Sequence, residues 1–219
     1  MESLLPERYP NQDFFIADIL DAAPKSDMGS MEHPIFSLSK KPDFTIRKYK
    51  HKDITVEVQP SAKGIANIWD KDVLIYCCSQ LREGINRGRE PSPVIQIRAY
   101  DLFVATNKKQ VGGGNYKQLI DSLERLAGTR IKTNISTGDA VDRYNFGLVV
   151  QYRVHEELVG DKDQMSSISI ELPQWLYRAV VSGEVLTLDR DYFRLRGGIE
   201  RRLYAVSYTH LTLPTIYSV

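Results

Sequence analysis

Few residues in this 219-residue chain could bind a metal or form a disulfide. It has two cysteines and four widely separated histidines, at positions 33, 51, 155 and 210. No histidine pair has the close spacing of a zinc site. Cys77 and Cys78 are adjacent, which favours two buried, reduced core residues over a disulfide and points to a reducing compartment. We therefore predict no metal and no cofactor.

Catalytic motifs are also missing. The glycines at 112–114 precede Lys117 but lack the GxxxxGK[ST] spacing of a phosphate-binding loop. Tyr192 and Tyr204 have no histidine pair beside them of the kind that nicking replication enzymes use with a nucleophilic tyrosine, so we interpret both as core residues. The sequence predicts no catalytic residue and a protein that is not an enzyme.

Long apolar runs and a strong net charge are absent as well. No run approaches the roughly 20 residues of a membrane span, and the first residues do not resemble a signal peptide, so we expect a cytoplasmic protein without a membrane partner. The net charge is +1, yet residues 1–33 carry seven acids and two bases. An acidic arm on a basic body fits a protein that meets a polyanion, although unrelated proteins share this asymmetry.

What the chain does contain is the pattern of a winged helix-turn-helix in residues 94–135. A strand over 94–97, a helix over 99–107, a Gly-rich turn, a helix over 115–127 and a strand over 130–135 follow one another. Leu119, Leu123 and Leu126 give the second helix its apolar stripe. Alternating apolar residues over 144–155 and 167–171 predict the β-wing.

Further elements flank this unit. We predict a strand over 35–38, a helix over 65–83, and another helix over 174–182 that stops at Gly183. A helix is also predicted over 191–204. Residues 40–52 hold six lysines and arginines before a strand over 54–58. This basic hairpin is either a solvated sheet edge protected by lysines or a phosphate-binding surface.

The fold class predicted is α+β, with four segments. Residues 1–33 form the acidic arm, and 34–184 form the winged-helix domain with its β-wing. Residues 185–205 form the first helix of an incomplete second winged helix. Residues 206–219 form a non-native-looking tail, because β-branched residues and Pro214 break the helical pattern there.

Eight residues are predicted to contact DNA. The apolar stripe of helix 115–127 should turn four side chains outward toward base edges: Lys117, Gln118, Asp121 and Arg125. Four more flank the helix and suit phosphates: Lys108, Lys109, Arg130 and Lys132. The helix itself is neutral, because Asp121 and Glu124 balance its two cations. A transcriptional repressor and a dimerisation module that does not bind DNA therefore remain alternatives.

Several segments together resemble the plasmid-type replication initiator protein A family. They are MEHPIFSLSKKPD (31–43), GIANIWDKDVLIYCCSQL (64–81), RAYDLFVATN (98–107), GGGNYKQLIDSLERLAGTRIKTNI (112–135) and VLTLDRDYFRLRGGIERRLY (185–204). The resemblance implies a winged-helix initiator that binds double-stranded DNA at origin repeats, helps to open the duplex and recruits a host initiator or helicase. It also implies a homodimer.

The chain departs from the family's pattern after Tyr204. In the family, the helix that begins near Asp191 continues and opens a second winged helix. Here residues 206–219 resemble a translated sequencing-adapter tail. We therefore expect the chain to lack most of the second domain.

Overall fold

The computed structural model describes residues 22–51, 54–106, 112–134, 144–159 and 162–212, which form an α+β fold with antiparallel sheets. The strands are β1 (Lys25–Asp27), β2 (Arg47–His51), β3 (Ile54–Gln59), β4 (Val94–Ile97), β5 (Arg130–Thr133), β6 (Tyr144–Gly147), β7 (Gln151–Val159), β8 (Lys162–Glu171) and β9 (Val185–Thr187). The α-helices are α1 (Met28–Glu32), α2 (Lys71–Asn86), α3 (Ala99–Ala105), α4 (Gly113–Gly128), α5 (Gln174–Ser182) and α6 (Gly198–Thr212). A 3-10 helix spans Arg190–Arg194.

Strands β2, β3, β5 and β6 form a four-stranded sheet in the order β2-β3-β5-β6. Its two faces follow from strict alternation along the strands. Val56, Val58 and Ile131 are buried against the core, whereas Thr55 and Lys132 are exposed on the other side. One face of this sheet is therefore open to solvent.

A second sheet has the order β4-β8-β7 and lies against the helices. Ile95 and Ile97 of β4 and Ile168 and Ile170 of β8 are almost completely buried in the main core. Helix α2 supplies much of that core, since every residue from Lys71 to Leu81 is buried. This explains why its pattern carries more apolar surface than a one-sided surface helix needs.

Helix α4 packs on the same core through Leu119, Leu123 and Leu126. Its last turn is fixed by the segment after β6, because the amides of Leu148 and Val149 donate to the Leu126 carbonyl at 3.0 and 3.3 Å. Gly147 allows this approach. A Cβ at that position would lie 2.7 Å from the Val149 carbonyl oxygen and 2.8 Å from that of Ala127.

The first described segment packs against the last. Strand β1 pairs with β9, and α1 contacts α6. A second apolar cluster joins these parts to α2: Met31, Ile75, Leu188, Tyr192 and Ala205. The Arg201 guanidinium donates to the Asp72 carboxylate at 2.6 Å, and both side chains are buried. Helix α6 is thus held to α2 by packing and by an ion pair.

Several predicted elements are confirmed. Strands β3 and β4 and helices α3, α4 and α5 lie where the patterns predict them, and α5 ends at Gly183, whose φ of +85° is left-handed. Cys77 and Cys78 are buried and unbonded, and Tyr192 is a core residue. None of the described helices combines the length and apolarity needed to cross a membrane.

Other elements differ from the prediction. Helix α2 begins at Lys71 rather than at 65, because the Asn67 side chain accepts hydrogen bonds from the amides of Trp69 and Asp70 and forms a turn there. The strand predicted over 35–38 is only an isolated bridge between Ser37 and Asn67.

The helix predicted over 191–204 is wrong as a single element, because a break precedes Gly198 and divides it into the 3-10 helix and α6. Helix α6 also continues to Thr212, so the helical pattern does not end at 206. The segment boundaries proposed from the sequence stay predictions.

Candidate nucleic-acid interface

The solvent side of α4 holds two of the predicted base-reading residues in exposed positions. Lys117 and Gln118 are exposed near the start of the helix, and the glycines at 112–114 have open space around them. The amide of Gly112 donates to the Asn115 side chain at 3.3 Å, which caps the helix. Lys108 and Lys109 lie outside the described residues.

Arg125 does not face outward. Its Nε and Nη2 atoms each donate to one oxygen of the Asp70 carboxylate at 2.7 Å, and Asp70 is only 2% exposed. The hydrogen bond that Arg125 donates to Asp70 raises the pKa of Arg125. The predicted outward orientation is wrong because a buried carboxylate before α2 needs a cationic partner, and Arg125 supplies it. A contact of Arg125 with DNA stays a prediction.

Asp121 is also engaged within the protein. The ammonium of Lys63, in the loop before α2, bonds to Asp121 and lies 2.5 Å from a carboxylate oxygen of Glu124. The hydrogen bond from Lys63 lowers the pKa of Asp121. The acids that made the helix neutral in sequence are therefore balanced by a lysine from another element.

The solvent face of the four-stranded sheet brings the other predicted residues together with new ones. The register places Lys48 opposite Glu57, Glu57 opposite Lys132, and Lys132 opposite Asn145. Because side chains directly opposite share a face, four cations lie on this surface: Lys48, Lys50, Arg130 and Lys132. We call these four residues the basic sheet face. They flank or line an open groove of about 740 Å³.

Glu57 is the one acidic residue lining this groove in the part of the chain that the structure describes. It lies 3.4 Å from Lys48 and 3.4 Å from Lys132, and Gln59 donates to it at 2.8 Å. The Gln59 hydrogen bond, followed by the two lysines, lowers the pKa of Glu57. One carboxylate therefore serves two lysines, and Lys50 has no ion pair with any described residue.

Sequence reasoning treated Lys48 and Lys50 as a separate basic hairpin and missed their place beside Lys132. The sequence predicts both strands, over 54–58 and over 130–135. Nothing local showed that β3 pairs with β5, since about 70 residues and three helices separate them. The basic stretch itself was the signal that could have suggested a shared surface.

The described side chains are not arranged for metal binding or for thiol chemistry. No group of three or more histidine, cysteine or acidic side chains within the described ranges is arranged to hold a metal ion. Burial raises the pKa of Cys77 to about 12 and that of Cys78 well above its ordinary value. Both thiols therefore stay protonated at neutral pH, which is unsuited to nucleophilic attack.

Comparison with known proteins identifies the family. The sequence profile described as "Replication initiator protein A" matches residues 25–211. The chain belongs to this replication initiator family. A curated protein of Wigglesworthia glossinidia brevipalpis whose name describes it as a replication protein is 39% identical over 202 residues, covering 91% of this chain and 72% of the relative. The resemblance expected from the sequence is confirmed.

Two solved structures share the fold of this initiator-family chain. Both are crystal structures of domains 2 and 3 of RctB. The first has a TM-score of 0.62 at 11% identity and covers 84% of this chain and 73% of that one. The second has a TM-score of 0.51 at 13% identity, with coverage of 80% and 64%. At this identity the likeness concerns the fold alone.

Proposed function

We propose that this chain is a sequence-specific, non-enzymatic DNA-binding protein that initiates replication of a plasmid or integrated element. In this proposal it binds double-stranded DNA at origin repeats, and binding energy rather than hydrolysis opens the duplex. The basic sheet face carries the argument. In a member of a replication initiator family, three lysines and an arginine share one solvent face, and Glu57 is the one acid among the described residues that line its groove.

The order of elements supports a winged helix as the DNA-binding unit. Helix α2, strand β4, helices α3 and α4, and the β7–β8 hairpin follow the helix–strand–helix–helix–wing order. The sheet order β4-β8-β7 places the hairpin beside the first strand, as a wing requires. Strands β5 and β6 are an insertion after α4 that joins the other sheet. Helices α3 and α4 meet through Phe103 and Tyr116, whose ring centroids are 5.3 Å apart.

We assign the two surfaces different tasks. The basic sheet face would neutralise phosphates and fix the register of the protein on the duplex. On α4, Lys117 and Gln118 are the exposed side chains suited to base edges, through guanine and adenine respectively. Family membership alone supports extending the proposal to a homodimer and to recruitment of a host initiator or helicase.

Fluorescence anisotropy with labelled duplexes, measured at several salt concentrations, tests the proposal. Origin-repeat DNA should bind the wild-type protein with an affinity that falls steeply as salt rises, because counterions are released. The Lys48→Met/Lys50→Met/Lys132→Met variant should bind roughly 100-fold more weakly at 0.1 M salt and lower the salt slope by about three.

An Arg87→Gln/Arg89→Gln/Arg194→Gln variant changes the charge equally at positions outside the sheet and is the matched control. It should keep the wild-type slope. Equal losses of affinity in both variants would mean that the sheet contributes to binding only through the net charge of the protein. No binding to any duplex at low salt would refute DNA binding by this chain.

A further inference from the structure

Lys71 is a buried lysine without a hydrogen-bond acceptor among the described residues. It is the first residue of α2 and is only 3% exposed. Its ammonium lies 5.7 Å from the centroid of the Phe36 ring, which provides a cation–π contact. Burying an unpaired charge costs several kcal/mol, so this side chain requires a compensating interaction.

The nearest carboxylates do not supply that interaction. Both oxygens of Asp27 accept from Ser30, at 2.6 Å from its amide and 2.5 Å from its hydroxyl. Asp72 accepts from Arg201. Burial lowers the pKa of Lys71 to about 8, although the field of Asp27 partly opposes the shift. Lys71 is therefore mostly protonated at pH 7, with its nearby acids bonded elsewhere.

Lys71 lines a small cleft between the N-terminal segment, α2 and α6. The cleft has a volume of about 90 Å³, and the described residues that line it include no aspartate or glutamate. Its polar and aromatic lining includes Ser30, His33, Phe36, Arg47, Lys71 and Arg202. About 10–15 Å³ of such space is enough for one water molecule, so the cleft has room for a tetrahedral oxyanion.

Two arginines complete the positive lining. Arg202 Nη1 donates to the carbonyls of Met31 and His33 at 2.7 and 3.3 Å, which holds its guanidinium at the cleft. Arg47, which also lines the cleft, is paired with Asp43. Three cationic side chains from three elements thus line one cleft.

We propose that this cleft binds a phosphate-type oxyanion, either inorganic phosphate or the terminal group of a small phosphomonoester. The anion would accept a hydrogen bond from Lys71 and complete its unmet pairing. Because the lysine is buried, a phosphate within a duplex backbone could not reach it. The site is separate from the basic sheet face and does not depend on DNA binding. Binding would join the α1 segment, α2 and α6.

Thermal unfolding in phosphate and in chloride at matched ionic strength tests the site. With 10 mM phosphate the melting temperature of the wild-type protein should rise by roughly 3 °C or more, if the dissociation constant is about 1 mM. Lys71→Met should abolish this rise. Arg87→Gln, which removes an exposed cation at the opposite end of α2, should retain it. Equal melting temperatures for the wild-type protein in both buffers would overturn the proposal.

Isothermal titration of the wild-type protein with inorganic phosphate and with phenyl phosphate keeps the test independent of whether Lys71→Met folds. Saturable binding of either ligand supports the site, and the stronger ligand identifies the source of the phosphate group. Linear, non-saturable heats with both refute it. A loss of duplex affinity in Lys71→Met, without phosphate binding by the wild-type protein, would also refute it and would assign the lysine to DNA.

Discussion

Helix α4 and the four-stranded sheet both carry cations, but the protein uses them differently. On α4, Arg125 is bonded to a buried aspartate, and the acids of the helix are paired with Lys63. On the sheet, one glutamate is shared by two lysines, and Lys50 has no ion pair with a described residue. On the helix, Arg125 stabilises the fold and only Lys117 is exposed, whereas the sheet cations remain available to a polyanion.

This difference shows that a charge count along one element does not predict its binding capacity. The sequence of α4 is neutral, yet its charges are distributed between a buried pair and an exposed first turn. The sheet face combines cations of β2 and β5, which lie in distant parts of the chain.

The largest effect is expected on removing the partner of Arg125. Asp70→Ala should lower the free energy of unfolding by about 3 kcal/mol, because it leaves a half-buried guanidinium unpaired. Urea denaturation measures this. Asp191→Ala, which breaks the exposed pair with Arg194, is the control and should leave the midpoint nearly unchanged. A stable Asp70→Ala protein would mean that Arg125 is not structural, and the contrast between the surfaces would fail.

A smaller effect is expected on removing the acid of the basic sheet face. Glu57→Gln should strengthen DNA binding by up to about fivefold, because it removes repulsion of phosphates and releases two lysines from an exposed ion pair. Glu90→Gln, an exposed position in the loop before β4, should leave the affinity unchanged. Anisotropy titrations of both variants measure the difference. Unchanged affinity in Glu57→Gln would indicate that phosphates do not approach this face.

The smallest effect is expected on α4. Lys117→Met/Gln118→Ala should weaken binding to an origin repeat by less than about threefold, short of the roughly tenfold that a bidentate base contact contributes. Competition with scrambled duplexes would show whether sequence preference persists. A loss above tenfold together with relaxed preference would mean that base readout at the start of α4 contributes as much as a full bidentate contact, and it would reverse the ranking of the surfaces.

Much of the fold could be predicted from local patterns. The leucine spacing of α4, the alternation of β3, and the positions of Pro173 before α5 and Gly183 after it are properties of neighbouring residues.

Only part of the candidate site could be predicted in this way. Lys132 was identified, but its neighbour Lys48 depends on the pairing of β3 with β5. The inward orientation of Arg125 depends on Asp70, 55 residues away.

The start of α2 was mispredicted for a related reason. Residues 65–70 are apolar enough for a helix, and Ile65, Ala66 and Ile68 are indeed buried. The side chain of Asn67 instead bonds to the following amides, and the Ala66 amide donates to the Thr129 hydroxyl at 2.8 Å. These side-chain hydrogen bonds compete with the backbone hydrogen bonds of a helix. A prediction from apolar periodicity does not take them into account.

The link between α2 and α6 bears on how the molecule unfolds. Ile75 of α2 packs with Met31, Tyr192 and Ala205, while Asp72 holds Arg201. A segment that detached would expose apolar surface and leave a buried charge unpaired on α2 itself. The two ends of the described chain and the central helix should therefore melt as one cooperative unit. Calorimetry should record a single transition whose van't Hoff and calorimetric enthalpies agree.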